Sequence, residues 1–208
     1  SQAETATLTF PEAVAPGAYR LRIAFSGAIR ENLTGFYRSQ YPGADGETKH
    51  LVTTQFEPGH ARLAFPCWDE PALKAVFELT LLVPEEMTAV SNMPVEEETP
   101  AGLGKKKVRF GPTPGMSTYI LGFVVGDLAS VEETAADGTL IRVWATRGRE
   151  EQVRFALEIS VKLLAYFNWY FDIPYPLSKL DHLAIPDFAA GAMENWGAIT
   201  YRETALLV

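Results

Sequence analysis

Cysteine is nearly absent. Cys67 stands alone in 208 residues, so no internal disulfide can form, and this usage fits a reducing compartment such as the cytoplasm. Histidine is scarce as well: His50, His60 and His182 are scattered, and neither an H-E-x-x-H pattern nor a Cys/His cluster occurs. These residues therefore offer no metal-ligand set. Positive charge is in deficit, with 18 Lys plus Arg against 26 Asp plus Glu and a net charge of −8. A chain without a basic stripe cannot release phosphate counterions efficiently, which excludes nucleic acid as a partner. The nearly apolar stretch 116–125 is too short to cross a bilayer and is interrupted by Ser117, Thr118 and Gly122. No basic, apolar and cleavable opening points to a signal peptide. A Gly-x-Ser-x-Gly elbow and a phosphate-cradling glycine loop are also missing. The sequon Asn32-Leu33-Thr34 is weak evidence of secretion.

What is present describes a soluble globular protein of about one or two domains, 47% hydrophobic and 21% charged. The first two-thirds read as strands. Tyr19, Leu21, Ile23 and Phe25 alternate with polar or small residues, as do Phe77, Leu79, Leu81 and Val83, and more briefly Val108 and Phe110. Over 119–125 both faces are apolar, which predicts a strand covered on both sides. Pro42-Gly43, Asp45-Gly46, Gly102 with Gly104, and Asp137-Gly138 mark turns. Glu96, Glu97 and Glu98 face Lys105, Lys106 and Lys107 across one of them, as in a solvated hairpin tip. The pattern predicts an antiparallel β-sandwich or saddle over residues 1–145.

The texture changes near residue 146. Val153, Ala156, Leu157, Val161, Leu164 and Phe167 follow helical spacing over 150–171, and Asp172-Ile173-Pro174 ends the helix. A short strand at 180–185 contains His182, read as structural, and 191–201 is read as a loop leading into another strand. Residues 146–208 thus form the start of an α/β domain. The abrupt stop at Val208, after Ala205-Leu206-Leu207, predicts a partial protein.

Three segments carry candidate chemistry. Cys67 lies in Phe65-Pro66-Cys67-Trp68-Asp69-Glu70-Pro71. A nucleophilic thiol needs a base and an electropositive setting, so a core thiol in a rigid loop is preferred to a cysteine hydrolase. In Thr54-Gln55-Phe56-Glu57-Pro58, Gln55 and Glu57 share a face if the segment is extended. In Ala189-Ala190-Gly191-Ala192-Met193-Glu194-Asn195-Trp196-Gly197, small residues allow another backbone to approach, and one carboxylate interrupts a largely apolar run. Taken alone, a solvated turn glutamate is the plainer reading of Glu194.

Gly191-Ala192-Met193-Glu194-Asn195 resembles the GAMEN exopeptidase motif of the gluzincin zinc aminopeptidases. Phe188-Ala189-Ala190 before it, Trp196-Gly197-Ala198-Ile199-Thr200-Tyr201-Arg202-Glu203 after it, Thr54-Gln55-Phe56-Glu57 and the Cys67 segment are similar to that family in the same order. Gly35-Phe36-Tyr37-Arg38-Ser39 is most like its puromycin-sensitive branch; the leukotriene-type hydrolases carry a second glycine where Ala192 stands. The resemblance implies an all-β domain followed by the start of a thermolysin-like catalytic domain. It also implies a zinc-bound water attacking the first peptide bond in the full-length parent. By position, Glu57 and Glu194 are expected to hold the α-ammonium of a peptide with a free N-terminus, and Gln55 to border the first side-chain pocket. Gly191, Ala192 and Met193 are expected to offer backbone groups, while Asn195 completes the motif without a direct contact. The H-E-x-x-H helix, a further glutamate ligand and a catalytic tyrosine are expected beyond Val208, and early strands before Ser1. Ala198 replaces a commonly larger residue. The competing class is a noncatalytic peptide- or protein-binding β-module.

Overall fold

The computed structural model describes residues 5–43 and 46–208. Strands β1 (Gly35–Pro42) and β2 (Thr48–Gln55) pair antiparallel, with alternate residues of β1 buried. Then follow β3 (Thr80–Pro84), β4 (Thr88–Ser91), β5 (Val95–Gly102), β6 (Lys105–Phe110) and β7 (Phe123–Gly126). They assemble as one antiparallel sheet of order β1-β2-β7-β4 and a second of order β3-β6-β5. Successive side chains of a strand point to opposite faces, and β7 uses both. Val124 joins a core with Leu51, Leu183 and Met193, while Val125 joins one with Val83, Val108 and Phe110.

A third sheet combines β8 (Leu128–Thr134), β9 (Leu140–Thr146), β10 (Lys179–Ile185), β11 (Ala192–Met193) and β12 (Ala198–Arg202) in the order β11-β12-β10-β9-β8. Its central pairs β9/β10 and β10/β12 are parallel. The crossover between β9 and β10 is the helix α1 (Arg154–Phe171), and a short α2 (Glu203–Leu206) follows β12. All seven residues of β10 are buried, as suits a parallel strand covered on both faces. The sheet takes β8 and β9 from residues up to 146 and its other strands from after it. Helix α1 is entered through a 3-10 turn at Glu150–Val153, whose Glu150 and Glu151 complement the helix dipole. It stops where Asp172 turns left-handed at φ 53° and Pro174 withholds a donor. Ala156, Leu157 and Leu164 pack on Ile141, Val143 and Leu180 of the sheet, whereas Phe167 stays exposed.

Four strand expectations change. Of the run Phe77, Leu79, Leu81 and Val83, only Leu81 and Val83 lie in a strand, because β3 begins at Thr80. Tyr19, Leu21, Ile23 and Phe25 alternate but belong to no strand, and all four are exposed. Alternation defines an amphipathic face, and a strand exists only where a neighbour completes its ladder. Over 119–125 only the end is strand, because Thr118–Ile120 forms a 3-10 turn before β7. The β2 strand ends at Gln55, and Glu57 lies in a turn closed by the His60 N–H donating to the Phe56 carbonyl at 2.7 Å. Gln55 and Glu57 are therefore not successive outward positions of one strand. The hairpin tip between β5 and β6 carries Lys106–Glu98 and Arg109–Glu97 ion pairs. Asp45 of the expected turn at 45–46 lies outside the described residues.

Candidate substrate-binding site

The loop between β10 and β12 is anchored at both ends. At its start the Asp187 carboxylate accepts from the Gln40 N–H at 2.8 Å, and the Tyr37 hydroxyl donates to the Asp187 carbonyl at 2.9 Å. Farther on, Arg202 donates to the carbonyls of Phe188 and Ala189, and its N–H meets the Gly191 carbonyl at 3.0 Å. β11 then pairs with β12 through Ala192↔Tyr201 and Met193↔Thr200. As the last strand in its sheet, β11 presents its other edge without a ladder partner among the described residues.

From Ala192 the chain alternates. Met193, Asn195 and Gly197 are buried, while Ala192, Glu194 and Trp196 face outward. Met193, fully buried, anchors the strand in the core shared by the first and third sheets. Asn195, 2% exposed, packs where Gly122 leaves room: a Cβ on Gly122 would stand 2.8 Å from its side-chain carbon. Ala189 and Ala190 are exposed, and nothing lies within 4 Å of a Cβ placed on Gly191. Small residues thus leave an open surface beside the one projecting carboxylate, Glu194.

Gln55 ends β2 half-buried, and its Oε1 is buried with no hydrogen-bond partner among the described residues. Beside it the Phe123 N–H donates to Thr54 Oγ1 at 3.0 Å, tying β2 to the segment that carries Gly122. Glu57 is exposed in its turn, next to a cis Glu57-Pro58 peptide. The Cys67 segment packs under this turn, with Phe65 and Cys67 against Phe56, Met116 and Leu121. Asp69 is held by Arg62 and by the Thr118 hydroxyl at 2.8 Å. Burial opposes its charge, but those bonds outweigh burial and hold the carboxyl below its usual range. Burial, with Asp69 nearby, pushes the half-buried Cys67 thiol up to about 11, a setting that disfavours the thiolate. His182 is buried, its Nδ1 shared with the Tyr201 hydroxyl at 3.0 Å and its Nε2 without a partner among the described residues.

A buried ionic cluster behind the loop has no counterpart in the sequence reading. Lys179 Nζ donates to Asp181 at 2.6 Å, to the Ser91 carbonyl at 2.6 Å and to the Gly197 carbonyl at 2.7 Å. Arg142 binds both Asp181 oxygens at 2.6 and 2.9 Å, and the Trp144 indole adds a bond at 3.0 Å. The available signal was the pair Lys179-x-Asp181 in an otherwise apolar strand, two charges on one face.

Residues 1–120 match the Peptidase M1 N-terminal domain and residues 155–208 the Peptidase family M1 domain. The chain is 52% identical over 98% of its length to "Aminopeptidase M1-A" of Oryza sativa subsp. japonica. It is 51% identical over 99% to "Aminopeptidase N" of Acetobacter pasteurianus, and 47% identical over 97% to "Puromycin-sensitive aminopeptidase" of Caenorhabditis elegans. It spans 23%, 58% and 21% of those three proteins. No described helix is long and apolar enough to cross a membrane.

Proposed function

The chain belongs to peptidase family M1, and from that premise we propose that it is the substrate-recognition part of a zinc aminopeptidase acting on peptides with a free N-terminus. The observation that carries this reading is the alternation along 192–197. It buries Met193 and Asn195 as anchors and projects Glu194 from an edge strand. A peptide can add to such an edge through main-chain bonds offered by Gly191, Ala192 and Met193. Glu194 and Glu57 receive its α-ammonium, each through a charge-assisted bond worth roughly 1.5–3 kcal/mol. The orphaned Oε1 of Gln55 is an acceptor bordering the first side-chain pocket.

The described donors do not fit zinc. Among the described residues no three His, Cys, Asp or Glu side chains cluster, and His182 is a lone imidazole bonded to Tyr201. We assign the ion, which supplies an activated water, to ligands elsewhere in the enzyme. The lone cysteine favours a cytoplasmic setting.

Metal analysis and turnover of an aminoacyl reporter test this division. The whole enzyme is expected to hold zinc and turn over, losing activity to a chelator; the 208-residue segment is expected to do neither. Zinc held tightly by the segment, with turnover, contradicts the assignment. Amine-selective peptide binding by a whole protein that never turns over would instead indicate a noncatalytic module.

A further inference from the structure

Asn92 lies just past β4, 2% exposed and remote in sequence from both candidate carboxylates. Its side chain uses both donors and its acceptor. Nδ2 donates to the Ile120 carbonyl at 2.9 Å and to the Trp196 carbonyl at 2.8 Å, while Oδ1 accepts the Gly122 N–H at 2.9 Å. A side-chain amide is the group that meets this demand for two donors and an acceptor. The backbone of Asn92 touches the loop as well: a Cβ on Gly197, whose φ is +71°, would stand 2.3 Å from the Asn92 carbonyl oxygen.

These contacts complete a route between the two candidate halves of the site. Gln55 follows Thr54, whose hydroxyl accepts from Phe123; Phe123 follows Gly122, which donates to Asn92; Asn92 donates to Trp196, two residues past Glu194. Asn195 closes the arrangement by packing its side chain on Gly122. Lys179 holds the same two segments from behind, through the carbonyls of Ser91 and Gly197.

We propose that Asn92 is the positioning residue of the amine-capturing site, fixing the Glu194 loop relative to Gln55 and Glu57. The assignment rests on the substrate reading given above. Recognition of a small ammonium by two carboxylates from different elements depends on sub-ångström placement, and a misplacement of 1 Å costs roughly 100-fold.

In the whole enzyme, Asn92→Ala is expected to raise KM for a free-amine aminoacyl substrate by about 10- to 100-fold. Zinc content should be unchanged, and the preference over the acetylated substrate should shrink. Asn92→Asp keeps the shape and the acceptor but cannot donate to the Trp196 carbonyl; it should show the same KM defect even if the alanine variant folds poorly. Ser117→Ala removes a bond outside this route, from Ser117 Oγ to the Pro71 carbonyl at 2.6 Å. It should lower Tm while leaving KM within about twofold. In the 208-residue chain, ¹⁵N relaxation of the 193–197 amides should report faster, wider motion in the Asn92 variants only. In the Asn92 variants, a loop as ordered as the wild type, or a fall in Tm with KM unchanged, overturns the assignment. An unaltered KM in Glu194→Gln would locate the failure in the substrate reading, and the relaxation data alone would then decide whether Asn92 holds the loop.

Discussion

Asp181 is fully buried and accepts from Lys179, Arg142 and Trp144. Burial alone would neutralise it, but Lys179 and Arg142 outweigh burial and hold the carboxyl below its ordinary 3.8. Burial pulls the Lys179 ammonium down from its ordinary value against the attraction of Asp181. Removing one partner of such a cluster strands the others, so Asp181→Asn should cost about 3–5 kcal/mol in urea unfolding. Because the folded carboxyl is depressed, its stabilisation is present above pH 3.8 and lost as pH falls through the lower folded value. The variant should lack that acid loss. His182 gives a separate window: burial lowers it from 6.5 to about 4. The unfolded imidazole gains its proton first, so stability should fall by ~3 kcal/mol as pH drops through that interval. His182→Asn should flatten the slope there. Gly197→Ala combines a left-handed φ of +71° with a 2.3 Å approach to the Asn92 carbonyl. It should cost at least roughly 1–3 kcal/mol, read by thermal unfolding.

At the scale of elements, protection should follow burial. All of β10 is buried, whereas α1 buries Ala156, Leu157 and Leu164 and exposes Tyr166, Trp169 and Tyr170. Hydrogen exchange should therefore show the α1 amides opening before those of β10; equal protection would contradict this packing account. The same burial explains what was legible in the sequence. α1 was readable because its helical apolar pattern reports the face it buries, whereas the burial of β10 on both faces was not legible with Lys179, Asp181 and His182 among its seven residues. Leu21 and Ile23 misled because alternation carries no information about whether a ladder partner stands alongside. Gln55 and Glu57 were placed on one face because nothing in their order shows that β2 ends between them. Asn92 and Lys179 were not legible as a pair of anchors, since their partners are carbonyls at 91, 120, 196 and 197 brought together only by folding.

For the whole molecule, the first sheet lies between two cores, and the core shared with the third sheet contains Met193. The position of Glu194 is thus a property of how the two sheets pack, as well as of its own loop. Family M1 membership and that placement lead to the central claim, that Glu57 and Glu194 select a free amino terminus. An acetylated terminus offers no ammonium, so on this proposal the charge-assisted bonds to the exposed Glu57 and Glu194 would not form. The direct measurement is kcat/KM of the whole enzyme for a free-amine substrate and its acetylated analogue, in wild type, Glu57→Gln and Glu194→Gln. The account predicts that either substitution lowers kcat/KM for the free amine and narrows the preference, with zinc content unchanged. Wild-type kcat/KM and undiminished preference in both variants would contradict it.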